Sequence, residues 1–170
     1  MAAITDLSTA SSINTSDYLV VSQSGTDKKA TADKFAITAN GTWVPDLQFG
    51  GATTGITYGN RQGYYSKLGR VVFIQGAIQL SSKGSATGNA SISGLPYVST
   101  NVTLGIGESA CRWYGMTSSL VAMMLEQAAN SSAFTIIGAT AATTGLAALT
   151  DAAFSNSSIL YFNAFYFAVV

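Results

Sequence analysis

Arg112-Trp113-Tyr114-Gly115 is the one place in this sequence where a cation stands beside two large aromatic residues. Aromatic faces stack on the apolar faces of sugars or on partner side chains, and arginine presents a planar fork of donors. Such residue types are enriched where binding energy concentrates. Strand alternation allows another reading, with Trp113 turned into the core and Arg112 and Tyr114 outward. Tyr58, Tyr64 and Tyr65 form a second aromatic group that hairpin pairing also accounts for. Arg112, Trp113, Tyr114 and Tyr58 are the candidate binding or interface contacts.

Covalent chemistry has less to work with. Histidine is absent, which removes the commonest general base, the commonest metal ligand and any Ser/His/Asp triad. After residue 40 the only acids are Asp46, Glu108, Glu126 and Asp151. Glycoside hydrolysis needs two carboxyls about 5–10 Å apart, and nothing in the spacing brings two of these together. No segment supplies a phosphate-cradling loop or the acid density of a calcium loop. Cys111 is the lone cysteine, so an intrachain disulfide and a paired-thiolate zinc site are both excluded. It reads as a small buried apolar residue. The expectation is a protein with no catalytic residues, no metal and no cofactor, and not an enzyme.

Charge is scarce. Charged residues are 9% of the 170, with a net charge of zero, against about 25% in ordinary soluble proteins. A soluble monomer keeps a charged, patch-free surface; a chain without one is expected to hide surface against copies of itself or a larger assembly. Zero net charge argues against nucleic-acid binding. The apolar run from Ile159 to Val170 contains Asn163 and is shorter than the roughly 20 residues of a spanning helix, so no membrane insertion is expected. The N-terminal residues lack the basic and apolar regions of a secretory signal, which points to a cytoplasmic product. The Asn-x-Ser/Thr triplets at Asn14, Asn40, Asn89, Asn101, Asn130 and Asn156 are compositional.

The elements that must position these residues read as strands. Tyr18 to Ser22 is a β-rich run, followed by a turn at Ser24-Gly25. Thr31 to Phe35 could open one helical turn with Thr31 as N-cap. Asn40-Gly41 is a turn dipeptide and a boundary, dividing the chain into 1–40 and 41–170. Trp43 to Phe49 is a strand that Pro45 limits to an edge or a start. Gln62 to Lys67, Leu68-Gly69 and Arg70 to Leu80 make a hairpin, with Val72, Ile74, Ile78 and Leu80 on one face. Gly76 inside it suggests a bulge or a close backbone approach. Further strands are expected at Ala90–Gly94, Asn101–Ile106, Ala110–Tyr114, Phe134–Gly138 and from Ile159 onward. Residues 118–129 fit helix or strand, and the strand-dense context tips them to strand. Residues 139–149 read as an ordered loop anchored by Leu146 and Leu149. The spacing of turns is that of an all-β antiparallel sandwich or jelly-roll.

Several of these segments, taken in order, resemble a known module. They are Gly41-Thr42-Trp43-Val44-Pro45, Tyr64-Tyr65-Ser66-Lys67-Leu68-Gly69, Ile92-Ser93-Gly94-Leu95-Pro96 and Leu149 to Phe154 with Ser158 to Phe162. Together they are similar to a module of tail-fibre and receptor-binding proteins of tailed bacteriophages. Ile4-Thr5-Asp6-Leu7, Asp17 to Val21 and Lys28-Lys29-Ala30-Thr31 resemble the short anchoring segment of phage fibres and tailspikes. The resemblance implies a virion structural protein, made in the host cytoplasm and assembled as a homotrimer. It implies an extended N-terminal segment that anchors to other virion proteins, with Tyr18, Leu19, Val20 and Phe35 as candidate anchoring residues. It implies an outward β-sandwich that attaches to a host surface glycan or protein. A capsid decoration protein, head fibre or tail-to-fibre adaptor is the alternative within the same class.

Overall fold

The computed structural model describes residues 18–31, 38–101, 109–140 and 145–169. The chain divides into two compact units, Met1–Thr38 and Ala39–Val170.

In the first unit, β1 (Tyr18–Gln23) and β2 (Thr26–Thr31) form an antiparallel hairpin. Ser24 and Gly25 both take positive φ, +54° and +73°, as a type I′ hairpin turn requires. The strand signal at Tyr18 is correct. Thr31, expected as a helix N-cap, is instead the last residue of β2. Phe35 and the rest of the expected helical turn lie outside the described residues.

The second unit is an all-β sandwich of two antiparallel sheets, with no α-helix among the described residues. The first sheet contains β3 (Thr38–Trp43), β5 (Ile56–Leu68), β6 (Val71–Lys83), β12 (Ile159–Phe167) and β8 (Ser109–Tyr114), in that order. The second runs β11 (Ala147–Ala148), β10 (Ala133–Ala139), β7 (Ala90–Ser93), β4 (Asp46–Phe49), with β9 (Ala122–Gln127) also paired to β10. Asn40-Gly41 is not a turn: both residues lie inside β3. Pro45 stands between β3 and β4, and β4 is an edge strand, where a missing N–H costs no ladder bond.

The hairpin closes with Leu68 opposite Val71, so Gly69 and Arg70 are its whole loop. Gly69 has φ +57°, a value that a side chain in this first loop position would strain. Val72, Ile74, Ile78 and Leu80 are all buried, as their alternation predicts. Gly76 marks a close approach, not a bulge. It pairs with Gly63 across the hairpin and with Phe162 on β12. Together the two glycines leave a trough on the inner face. The Trp43 indole covers Gly63 and the Phe162 ring covers Gly76, the two rings meeting edge to face at 6.2 Å. The irregularity in this hairpin lies instead at Thr57 to Asn60 of β5, where the register with β6 shifts. That shift reverses which face successive residues occupy.

Both sheets send their inner rows into one core. Leu47, Phe49, Ile92, Phe134 and Ile136 come from one side, and Val72, Ile78, Leu160, Phe162 and Tyr166 from the other. Each such side chain contributes roughly 1.5–3 kcal/mol by leaving water. Residues 118–129 supply β9, with Met123 and Leu125 buried, so tertiary context overrides their helix propensity. Leu149 is buried, whereas Leu146, expected as a second anchor, is exposed; residues 141–144 of the expected loop lie outside the described residues. Ser109 Oγ accepts from the Leu125 amide at 2.7 Å, joining edge strands β8 and β9 of the two sheets. Residues 102–106 of one expected strand lie outside the described residues.

Candidate binding face

The inner face of the β3-β5-β6-β12-β8 sheet packs in the core; its outer face meets solvent. Register places side chains in rows across that outer face. Ser66, Phe73 and Phe165 form one row. Tyr64, Gln75, Asn163 and Ala110 form the next, then Gln62, Ala77, Tyr161 and Arg112. Ile159 and Tyr114 follow at the β8 edge. Leu68, Val71 and Phe167 lie at the opposite end.

This is an aromatic surface. Tyr64, Phe73, Tyr114, Tyr161 and Phe167 are each 45–51% exposed. An aromatic side chain carries about 150–250 Å², so the five together expose on the order of 500 Å². A typical monomer's largest apolar patch is about 300–600 Å², and a stable interface buries about 800 Å² on each partner. The five rings thus approach an interface before Leu68, Val71 and Phe165 are added. Phe73 and Phe165 pack together with centroids 6.1 Å apart.

The face also carries polar groups. The Arg112 guanidinium lies 4.8 Å from the Tyr114 ring centroid and 5.6 Å from that of Tyr161. Such stacking holds the cation in one place. The Ala110 amide donates to Asn163 Oδ1 at 3.3 Å. Two adjoining depressions, of about 610 and 450 Å³, open onto this face and share Tyr64, Gln75, Ala110 and Asn163.

The four sequence-derived contacts separate. Arg112 and Tyr114 are exposed on this face. Trp113, one residue from each, is half-buried on the inner side opposite Leu160, packed against the core. Tyr58 also lies inward. Its hydroxyl accepts from the Leu47 amide at 3.0 Å, and burial raises its pKa while the Leu47 bond opposes the rise. The β5 irregularity explains this, because it puts Tyr58 and Tyr64 on opposite faces despite their even spacing. Of the anchoring candidates, Tyr18 and Val20 are exposed on β1, and Leu19 lies between them in the strand.

Asp46 and Asp151 are engaged in structural contacts. Asp46 pairs with Arg61. Asp151 accepts from the Gly88 amide at 2.9 Å and from Lys83 Nζ at 3.1 Å, and those contacts, the Gly88 bond first, hold its carboxyl below its ordinary value. Glu126 is exposed on β9 and Glu108 is outside the described residues. Burial pushes the Cys111 thiol up to about 11, leaving it protonated and unreactive at neutral pH. No cluster of three metal-ligating side chains occurs among the described residues.

Sequence reasoning missed Tyr161, Phe165, Phe167 and Phe73. The signal was present in Ile159–Phe167, where large apolar residues occupy both parities. A strand apolar on both faces expects cover on both faces.

No family model and no curated protein matches the chain. Among solved structures, the fold is similar to the crystal structure of the Dettilon tailspike protein. The TM-score is 0.60 and the identity 19%, over 76% of this chain. The similarity covers 23% of the tailspike, so it concerns one part of a much longer protein.

Proposed function

We propose that this chain is a structural protein of a tailed-bacteriophage virion, a tail fibre or receptor-binding protein that attaches the particle to the host surface. The observation that carries the reading is the uncovered aromatic sheet face on a sandwich that resembles part of a tailspike. The ordered motifs of the hairpin and the Ile-Ser-Gly-Leu-Pro strand end support the same reading. The protein acts by binding, not catalysis, and needs no cofactor.

Three copies assemble about an axis. The Leu68, Phe73, Phe165 and Phe167 end of the outer face packs against a sister subunit, which explains how a thinly charged chain avoids open-ended aggregation. The β8 end with Arg112 stays open to the receptor. Residues 1–40 dock to other virion proteins, with Tyr18, Leu19, Val20 and Phe35 as anchors. Three weak sites then act together through effective concentration.

Purified protein added to host bacteria before infection tests this. Attachment predicts that the protein binds cells and that phage adsorption falls as the sites fill. Protein that binds no cells, with virions carrying hundreds of copies on the capsid, assigns the chain to head decoration instead.

A further inference from the structure

We infer that the depression around Arg112 recognises a carboxylate-bearing sugar of the host surface, such as a uronic acid residue. This deepens the attachment reading and rests on it.

The depression of about 450 Å³ is lined by Gln62, Gln75, Arg112, Tyr161 and Asn163, among others. That volume lies within the range of small-ligand sites. Its chemistry has three parts. Tyr161 and Tyr64 offer ring faces for the apolar face of a pyranose. The side-chain amides of Gln62, Gln75 and Asn163 can both donate to and accept from sugar hydroxyls. Asn163 Oδ1 already accepts from the Ala110 amide, which fixes that side chain with its NH₂ as the remaining donor. Arg112 is the only ionised residue among the described residues that line either depression, and no ion pair holds it among the described residues.

That lone cation selects the ligand. A neutral sugar would bury the guanidinium without a counter-charge, which is costly. A phosphate monoester carries nearly two negative charges and would call for further cations, which the described lining lacks. A carboxylate has one charge and a planar pair of oxygens, which match two parallel N–H donors of arginine. Tyr114 and Tyr161 hold the guanidinium in place beforehand, so little side-chain freedom is lost on binding.

The test uses galacturonic acid and glucuronic acid tetrasaccharides beside their carboxyl-reduced counterparts, in which each –COO⁻ has become –CH₂OH. Binding to the full chain is read by calorimetry at low and high salt. The acidic forms should bind about 10- to 100-fold more tightly than the reduced forms, the range of a charged hydrogen-bonded pair. The preference should shrink with salt. Arg112→Gln should abolish it, and Arg112→Lys, which keeps the charge without the fork, should retain only part of it. Equal binding of acidic and reduced sugars, binding of neither, or an Arg112→Gln protein with the preference intact overturns the inference. The attachment reading fails separately, if the wild-type protein binds no host cell.

Discussion

Trp113→Ala and Arg112→Gln are adjacent substitutions that should have opposite effects. Trp113 lies on the inner face of β8, opposite Leu160 and against the core, whereas Arg112 lies on the outer face. Full burial of a tryptophan makes truncation cost about 3–5 kcal/mol. Trp113 is only partly buried, so the loss should be roughly 2–3 kcal/mol. With a urea m-value near 2 kcal/mol per M, the midpoint should fall by about 1–1.5 M. Trp43 remains as the single tryptophan in that variant; it is 6% exposed in the core, so its fluorescence reports global unfolding. Measurements belong at one fixed protomer concentration, because assembly adds to apparent stability. Folded Trp113→Ala protein should still bind host cells. Arg112→Gln should unfold within about 0.5 kcal/mol of wild type, as an exposed substitution does, and should lose cell binding. A Trp113→Ala protein of unchanged stability that no longer binds cells would refute the assignment of faces.

The remaining predictions address packing, assembly and pH. A Cβ at Gly76 would lie 2.5 Å from the Phe162 ring, so Gly76→Ala should cost about 1–3 kcal/mol in denaturant titrations, and Phe162→Leu in the same chain should recover part of it. Phe73→Ser with Phe167→Ser should weaken self-association at least 10-fold in sedimentation while leaving the far-ultraviolet spectrum unchanged, since both side chains are half exposed. The Asp151 carboxyl is held below its ordinary 3.8 in the folded state. Its contribution is therefore complete above that value and lost as pH falls below it, and Asp151→Asn should remove that part of the acid dependence. Burial raises Tyr166 to about 12 and Cys111 to about 11, from ordinary values of 10.0 and 9.0. Both favour the protonated folded form, so thermal midpoints should drop as pH rises past roughly 9–10.

The hairpin was legible because its inner face is consistently aliphatic and its two-residue loop carries a glycine. Composition alone pointed to hidden surface, and the outer sheet face is where the missing charge is felt. Two features were missed. Tyr58 looked like a partner of Tyr64 until the β5 register shift turned it inward; Gly59, a glycine inside the strand, was the local mark of that irregularity. The site itself is assembled from the β5–β6 hairpin, β8 and β12, three segments far apart in sequence. Arg112 could be singled out beside Trp113 and Tyr114, but Tyr161, its second aromatic neighbour, is reached only through the β8–β12 register. Asn40-Gly41 misled because a turn dipeptide can sit in a strand when Tyr65 packs over its glycine.

The most direct measurement is the mass of the full chain in solution across a hundredfold range of concentration. A closed trimer of about 52.5 kDa is expected, three times the 17.5 kDa protomer, with the Phe73 and Phe167 rings protected from solvent labelling. A 17.5 kDa species at every concentration, with both rings freely labelled, would contradict it.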